Sequence, residues 1–538
     1  MDEDTKVEWR EWGPEAFGAA ERAGKPILLS LVVPWSPECA EMDRTTYSEP
    51  RIAANINDGF VPIRVDADRQ PRVRDRYTMG GFPSTVFLTP DGTVLTGATF
   101  LGIDGFRGIL DSVREMWDAR GASAGSIPRA LRDREPPGGE LTARVEEHMI
   151  EQLLAAYDEE FGGWGSDVKF PLPRTIEFAL VRAREQATRT LEGVRTHLLD
   201  TYDGGFYRYA SERNWANPRR AKLLDDNAAL VRAFAYGYRY TGEEAYRDAA
   251  ERTVEYLTTT LWTDDAPAGG AFAASQVGED RYYRLEATER EEADPPAVDE
   301  TMLADRNALA VDALLTYHGF VGDERSRRYA ERALDSVVEL VDEDGAVAHY
   351  PGADSPRGTL LDQARVLTGL TTAGQVLGET GPANAVADWT IEHLGEAGPL
   401  RDGEDEDVGL LDRPLYPLDS TVEFADAALD LAALTGDDDY RVAARRAVET
   451  YANAADRMGV EAAHYATVVA RVRDPQVVRV GPKAGSDLHR AALRLADHET
   501  TVVPGVGGET ATLVSDGSPA GEATTPAELE SVLTDVEW

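Results

Sequence analysis

Short apolar runs alternate with helical stretches along the first 120 residues of the chain. The apolar runs have the length and the flanking turn residues of buried strands, and two other stretches have the apolar spacing of amphipathic helices. The predicted strands are residues 26–33, 60–65, 84–88 and 93–96, and the predicted helices are residues 14–23 and 104–117. This alternation predicts one α/β domain over residues 1–120.

From residue 141 to residue 475 the apolar positions recur almost everywhere with helical spacing. Three stretches repeat one pattern, in which a helix is followed by a glycine-containing turn and a second amphipathic helix. The glycines of these turns, where a helix C-cap needs positive φ, are Gly242, Gly322 and Gly436. Roughly eleven or twelve helices of this kind predict a closed ring of six hairpins, an (α/α)6 toroid.

Two segments beside the predicted ring differ from it in composition. Residues 121–140 are rich in glycine, proline and charge, which predicts a linker. Residues 476–538 carry strand patterns at 477–480 and 500–503, a helix at 487–496 and a final capped helix at 525–535. They predict a small C-terminal α/β segment.

Acidic residues greatly outnumber basic ones. The chain has 97 aspartates and glutamates against 55 lysines and arginines, a net charge of -42, and only five of the basic residues are lysines. Such a surface repels nucleic-acid phosphates and anionic membranes, so neither is expected as a partner. Abundant carboxylates with scarce lysine also resemble the proteins of extreme halophiles, in which salt screens the self-repulsion.

Three features predict a cytoplasmic protein. No apolar stretch is long enough to span a membrane. The first residues are acidic and polar, unlike a secretory signal. The single cysteine, Cys39, permits no intramolecular disulfide.

A short motif follows the first predicted strand. It places Trp35, Ser36 and Cys39 in the order of a thioredoxin active site, and Pro83 precedes a later strand, where thioredoxins have a cis-proline. Thiol–disulfide exchange needs an attacking thiolate and a second, resolving thiol. Because Ser36 replaces the attacking cysteine, we expect no self-contained exchange activity. Cys39 is interpreted either as a small buried core residue or as a regulatory thiol.

The combination of the two domains resembles the spermatogenesis-associated thioredoxin-like family, in which such a domain precedes a six-hairpin glycosidase-type helical domain. The matching residues of the first domain include Trp12, Lys25, Cys39, Met42, Arg44, Tyr77, Gly81 and Pro83. The matching residues of the helical domain include Tyr157, Asp158, Gly162, Gly163, Lys169, Phe206, Arg208, Trp215, Lys222, Asp226, Asn227 and Asn307.

The chain departs from this family at positions that carry reactive groups. The family pattern Cys-His-Trp-Cys-His is replaced by residues 36–40, Ser-Pro-Glu-Cys-Ala, and its His-Phe-Glu by residues 219–221, Arg-Arg-Ala. A tryptophan expected before Asn307 is Arg306. Thiols, imidazoles and carboxylates perform nucleophilic and acid–base chemistry. Their loss indicates a divergent branch of the family, and one alternative is that this branch is non-catalytic.

Candidate residues for remaining chemistry lie in the helical domain. The resemblance implies catalytic roles for Asp226, Asn227 and Lys222. The alternative interpretation of Asp226 and Asn227 is that they cap a helix or form hydrogen bonds in the core. The ligand-binding candidates are Trp164, Lys169, Phe206, Arg208, Trp215, Asn307 and His349. The eight histidines show no paired metal-ligand spacing, so no metal is expected, and no glycine motif indicates a nucleotide cofactor.

Three functions fit these observations. The first is a toroid that binds or transforms a sugar-type small molecule, with aromatic and glycine-rich loops at its mouth. The second is a non-catalytic scaffold with a protein partner. The third is a weak monothiol redox protein that acts through Cys39, and Ser36 disfavours it.

Overall fold

The computed structural model describes residues 5–132, 135–395 and 399–534. These residues form two compact units. The first unit comprises the described residues up to Glu135 together with Val277–Glu279 and Arg401–Leu415, and the second comprises the remainder. Residues 133 and 134 of the predicted linker and residue 535 of the predicted final helix lie outside the described residues.

The first unit contains a four-stranded sheet and its helices. Its elements are α1 (Pro14–Ala23), β1 (Ile27–Val32), α2 (Pro37–Thr45), α3 (Pro50–Gly59), β2 (Val61–Asp66), α4 (Pro71–Tyr77), β3 (Ser84–Leu88), β4 (Val94–Ala98) and α5 (Ile103–Arg120). The sheet order is β2-β1-β3-β4, with β1 parallel to β2 and antiparallel to β3. The predicted strands and helices are confirmed, and α2, α3 and α4 are additional.

The fold of the first unit is thioredoxin-like. The strand β1 is buried along its whole length because helices cover both faces of the sheet. The peptide bond between Phe82 and Pro83 is cis, as predicted from the motif. Arg76 and Arg72 of α4 both bond the buried Asp402 carboxylate of the later segment Arg401–Leu415, which explains why that segment belongs to this unit.

The second unit is built mainly from helices. They are α6 (Arg144–Ala155), α7 (Pro173–Arg182), α8 (Arg184–His197), α9 (Leu224–Thr241), α10 (Glu244–Thr259), α11 (Asp280–Tyr283), α12 (Ala287–Arg290), α13 (Ala304–Val321), α14 (Glu324–Val338), α15 (Leu360–Val376), α16 (Ala383–Leu394), α17 (Leu418–Thr435), α18 (Asp438–Glu449) and α19 (Ala463–Arg473). Two-residue strands lie in the connecting loops: β5 (Tyr209–Ala210), β6 (Pro218–Arg219), β7 (Lys222–Leu223), β8 (Trp262–Thr263), β9 (Ala271–Phe272), β10 (Ser275–Gln276) and β11 (Val298–Asp299).

Among the described residues, six inner helices form a closed ring. In order around the ring they are α7, α9, α13, α15, α17 and α19, and α19 packs back on α7. Each inner helix packs against an outer partner, which is α8, α10, α14, α16, α18 or α6 in the same order. The (α/α)6 toroid predicted from the hairpin repeat is therefore confirmed. The helix α6, the first helix of the second unit, closes the ring by pairing with α19.

The inner and outer helices differ in burial, as their sequences require. In α13 every residue from Ala304 to Tyr317 is buried, whereas α14 buries one face only. A helix surrounded by other helices must be apolar on all sides, except where buried polar groups are paired. Gly242, Gly322 and Gly436 end α9, α13 and α17 with φ of 71°, 75° and 74°, which confirms the predicted C-caps.

The C-terminal segment is a small α/β module within the second unit. Its elements are β12 (Gln476–Val480), α20 (Asp487–Leu495), β13 (Thr500–Pro504), β14 (Ala511–Ser515), β15 (Ser518–Ala523) and α21 (Pro526–Thr534). The strands β14 and β15 were not predicted from the sequence. The sheet order β13-β12-β14-β15 repeats the order and strand directions of the first sheet. The module packs on α13, α15 and α17 through α20 and β13.

No helix in the described part of the chain is both long enough and apolar enough to cross a membrane.

Candidate active site

The thioredoxin-like motif of the first unit holds no reactive thiol. Cys39 is 1% exposed, and burial raises the pKa of its thiol to about 11. Ser36 donates a hydrogen bond to Glu38, and the Trp35 indole donates one to Asp68 at 2.9 Å. A thiol of this pKa stays protonated at neutral pH and is a poor nucleophile. The structure thus supports the interpretation of Cys39 as a buried core residue.

The lysines predicted for the helical domain form buried ion pairs with loop aspartates. Lys222 donates to Asp200 at 2.9 Å and to the carbonyl of Gly204 at 2.7 Å. Lys169 donates to Asp158 at 2.8 Å and to a glycine carbonyl in the same way. Both lysine side chains are fully buried, so their donors hold the loops that follow α6 and α8.

The predicted asparagines clamp the loops that precede their helices. Asn227, the fourth residue of α9, bonds both the N–H and the carbonyl of Phe206. Asn307, the fourth residue of α13, bonds Phe272 in the same two ways. Both asparagines are fully buried. These hydrogen bonds satisfy buried backbone groups. That structural purpose explains an asparagine at both positions without a catalytic role.

The predicted aromatic residues lie in the core of the second unit. Trp164 and Trp215 are 2% exposed and Phe206 is fully buried. Each indole N–H donates to a backbone carbonyl, that of Leu153 for Trp164 and that of Phe161 for Trp215. The structure therefore places none of the three on a ligand-facing surface.

An aromatic pair that the sequence analysis did not single out is exposed instead. The rings of Phe170 and Tyr209 lie 4.6 Å apart, inclined by 31°, and Phe170 is 47% exposed. Backbone pairing between Lys169 and Ala210 holds the two loops together. The Arg208 guanidinium lies over the Tyr209 ring and 3.6 Å from the Asp226 carboxylate. This pair borders the N-terminal end of α9.

The N-terminal ends of the inner helices bring charged residues together. The helices α9, α13, α15 and α17 begin with Leu-Asp-Asp-Asn, Ala-Asp-Arg-Asn, Leu-Leu-Asp-Gln and Leu-Asp-Ser-Thr. The fourth residue of the first three helices clamps a loop. Acids or an arginine occupy both the second and third positions of α9 and α13, and an aspartate occupies the third position of α15. We call the region formed by these helix ends the ring mouth.

Asp226 has the environment of a proton-transfer group. Its side chain is 35% exposed. The surrounding protein and the neighbouring Asp225 carboxylate raise its pKa to about 6, although Arg208 and Arg306 oppose the shift. A carboxyl group with this pKa exchanges its proton near neutral pH, as general acids and bases do.

A continuous chain of charges runs across the ring mouth from α13 to α17. Arg365 of α15 donates to Asp305 of α13 at 2.9 Å and to Glu423 of α17 at 3.1 Å. His349 Nδ1 lies 2.8 Å from Asp362 Oδ1 and 3.9 Å from Asp305 Oδ1. These contacts join residues from three different hairpins.

A cavity of about 220 Å³ opens beside this chain. Its polar lining includes Arg174, Arg365, Asp419, Glu423 and His464. Burial and the neighbouring Glu423 carboxylate raise the pKa of Asp419. The lining of the cavity combines hydrogen-bond donors and acceptors, and the cavity is large enough for a small polar molecule.

Of the predicted site residues, the structure brings Asp226, Arg208 and His349 to the ring mouth. Sequence reasoning missed Arg365, Glu423, Arg174 and His464. A signal for the first two was present, because each is the sixth residue of an inner helix and lies one turn after the acidic positions.

The first unit matches a known family. Residues 1–132 match the Thioredox_DsbH family, described as a protein of unknown function, DUF255.

Relatives match a larger part of the chain. Spermatogenesis-associated protein 20 of Homo sapiens is 29% identical over 314 residues, which are 50% of this chain and 39% of that protein. An uncharacterized protein of Caenorhabditis elegans is 27% identical over 303 residues, which are 50% of this chain and 41% of that protein. The chain therefore spans about two fifths of the length of the curated relatives it matches.

Solved structures are similar to the helical part. The cellobiose 2-epimerase of Spirochaeta thermophila has a TM-score of 0.46 and 17% sequence identity, and the likeness covers 57% of this chain and 82% of that chain.

Proposed function

For a chain that carries a Thioredox_DsbH domain and is homologous to spermatogenesis-associated protein 20, we propose that the helical ring binds and transforms a carbohydrate-type small molecule. The proposed site is the ring mouth. The observation that carries the proposal is Asp226, a partly exposed carboxyl group whose pKa is raised to about 6. Asp226 is the residue that we assign to proton transfer.

The chemistry of the ring mouth suits a neutral ligand with many hydroxyl groups. Carboxylates and guanidiniums alternate there, as in the chain Asp305, Arg365 and Glu423. A hydroxyl group both donates and accepts hydrogen bonds, so a polyol satisfies neighbouring donors and acceptors at the same time.

The exposed aromatic pair adds a second recognition element. Phe170 and Tyr209 present an apolar surface close to Arg208, which contacts Asp226. Ligand sites commonly combine such a surface with a few precisely oriented polar groups. The apolar C–H face of a sugar ring would stack on this surface while its hydroxyl groups face the helix ends.

Two other functions have less support. A monothiol redox role for Cys39 is disfavoured by the burial of the thiol and by its raised pKa. A scaffold role needs a protein partner and does not explain the raised pKa of Asp226. A scaffold is therefore the outcome expected if the following experiment fails.

Ligand binding tests the proposal. The full chain in molar KCl is screened by thermal shift against neutral monosaccharides and disaccharides, and hits are measured by calorimetry. We expect a stabilising shift that Phe170→Ala weakens about tenfold or more in affinity, which corresponds to about 1.4 kcal/mol. Phe100→Ala is the matched control, because Phe100 is an exposed phenylalanine of the first unit, 39% exposed.

The transformation is tested separately from binding. Each bound sugar is incubated with the protein, and its carbon-bound protons and its anomers are followed by NMR in D2O. We expect slow conversion or proton exchange that Asp226→Asn abolishes while binding persists. Absence of binding by every sugar, together with a stoichiometric protein partner recovered from the native source, would favour the scaffold.

A further inference from the structure

Three metal-ligating side chains meet beneath the ring mouth. The ligand atoms of Asp305, His349 and Asp362 all lie within 4.8 Å of one another, and all three residues are buried. We propose that they bind a divalent transition-metal ion such as Zn²⁺ or Mn²⁺, through His349 Nδ1 and one oxygen of each carboxylate. The sequence analysis expected no metal, because the eight histidines show no paired metal-ligand spacing and the chain has one cysteine.

The distances between the ligand atoms fit a metal of this size. Bonds of about 2.0–2.2 Å from Zn²⁺ to nitrogen and oxygen place tetrahedral ligand atoms about 3.3–3.6 Å apart. His349 Nδ1 lies 2.8 Å from Asp362 Oδ1 and 3.9 Å from Asp305 Oδ1. The two distances bracket the required value, and the third pair of ligand atoms lies within 4.8 Å. A bound metal would replace the hydrogen bond between His349 and Asp362.

The outer oxygen of each carboxylate is already held by a protein donor. Arg365 donates to Asp305 Oδ2 at 2.9 Å, and the Thr359 hydroxyl donates to Asp362 Oδ2 at 2.6 Å. Both bonds leave Oδ1 as the oxygen that faces His349 Nδ1. Hydrogen bonds of this kind orient the ligands of metal sites and are a regular part of them.

The charge around the three ligands also favours a divalent cation. The side chains around the three ligands include the carboxylates of Asp305, Asp362 and Glu423, which are at most 14% exposed, and the guanidinium of Arg365. With these groups ionised, the carboxylates exceed the guanidinium by two negative charges. A buried excess of negative charge is costly unless a cation compensates it. This excess, which already counts Arg365, matches the charge of one divalent ion.

The ion would have a structural consequence that does not depend on sugar binding. It would join the N-terminal ends of α13 and α15 to the loop that carries His349, and each ligand comes from a different one of these segments. Metal binding to the folded chain then adds stability that rises with the logarithm of the free metal concentration above Kd. The proposal thus stands or falls independently of the proposed carbohydrate function.

Metal binding by the full chain tests this site directly. The protein is treated with chelator, dialysed into molar KCl with millimolar Mg²⁺ to saturate surface carboxylates, and titrated with Co²⁺ followed by its visible absorption. We expect one Co²⁺ per chain with a d–d spectrum of mixed nitrogen and oxygen coordination, and displacement of Co²⁺ by Zn²⁺. A Zn²⁺-dependent rise in melting temperature gives a second readout.

The variants assign the site. His349→Ala and the isosteric Asp362→Asn are expected to weaken Co²⁺ binding at least about a hundredfold. His464→Ala is the matched control, since it removes a similar histidine–aspartate pair, His464 with Asp426 at 3.0 Å, and should bind Co²⁺ as the parent chain does. Circular dichroism checks that each variant is folded. If His349→Ala does not fold, Asp362→Asn alone tests the site.

Two results would overturn the proposal. The first is a parent chain that takes up no Co²⁺ or Zn²⁺ at micromolar concentration under these conditions. The second is uptake that persists unchanged in both folded ligand variants, because the metal would then lie elsewhere.

Discussion

The ammonium nitrogen of Lys222 lies 2.9 Å from Oδ2 of Asp200, and neither side chain is more than 3% exposed. Lys169 repeats the relationship with Asp158 at 2.8 Å. In both loops the aspartate N–H bonds the carbonyl of the second glycine of a Gly-Gly pair, Gly163 or Gly205. Two of the five lysines in the chain therefore serve one repeated structural purpose, which explains why lysine persists at these positions.

Loss of either lysine should destabilise the fold. Lys222→Met leaves Asp200 buried with one cationic partner fewer, and removal of one member of a buried pair costs about 3–5 kcal/mol. Urea unfolding followed by circular dichroism in molar KCl measures the loss. Lys483→Met, at an exposed position, is the control and should leave the free energy of unfolding within about 0.5 kcal/mol. Equal stability of the two variants would contradict the structural role.

The two asparagine clamps should contribute similarly to stability. Asn227→Ala and Asn307→Ala each leave the N–H and the carbonyl of a buried phenylalanine without their partner. Each unsatisfied buried group costs about 1–3 kcal/mol, so each variant should lose at least about 2 kcal/mol. Equilibrium unfolding of the two variants, with the surface variant Asn214→Ala as reference, checks the expectation. A stable Asn227→Ala with altered ligand chemistry would point to a catalytic role instead.

The Cys39 thiol should be unreactive in the folded protein. Its burial and its pKa of about 11 leave almost no thiolate at pH 8. We expect labelling by a disulfide reagent to be at least about a hundredfold slower than in the urea-unfolded chain, and no insulin reduction with dithiothreitol. Rapid labelling of the native chain, or insulin reduction that Cys39→Ala abolishes, would support the redox function instead.

Asp226 should make stability depend on pH in a defined direction. Its folded pKa, about 6, lies above the value near 4 of an unfolded aspartate, so the native state binds the proton more tightly. The contribution is therefore fully present below about pH 4 and is lost as the pH rises through about 6. Asp226→Asn removes this dependence and should be more stable than the parent at pH 7.5 but not at pH 4.

Urea unfolding of both proteins at the two pH values measures the effect. Asp335→Asn, an aspartate on the outer helix α14 with an exposed side chain, controls for the general loss of one negative charge. A parent and an Asp226→Asn variant that differ equally at both pH values would show that the Asp226 pKa is not raised.

The helices and strands of the first unit could be predicted because their signals are local. The strand 84–88 is bounded by a proline and a turn, and its predicted limits are those of β3. The strands β14 and β15 were missed because they contain serine, glycine, threonine and proline, which do not form an apolar run. The pairing of β14 with β12, and of β15 with β14, supplies the stability that their composition does not.

The candidate site was only partly predictable. Asp226 and His349 could be named because one lies in a family motif and the other is a rare residue in this chain. Arg365 and Glu423 share one local signal, the sixth position of an inner helix. That signal does not say which helix ends meet, so the sequence could not group the two residues with Asp305.

The sequence alone was enough to predict the two kinds of fold, the absence of a redox dithiol and the acidic character. Each of these features depends on composition or on residues that lie close together in the chain. Only the tertiary structure decided which of the acidic residues act together. Closure of the ring packs α19 against α7, although the two helices begin about 290 residues apart in the chain. The packing of the loops between the helices gives Lys222 and Asn227 their buried partners and brings Asp305, His349 and Asp362 together.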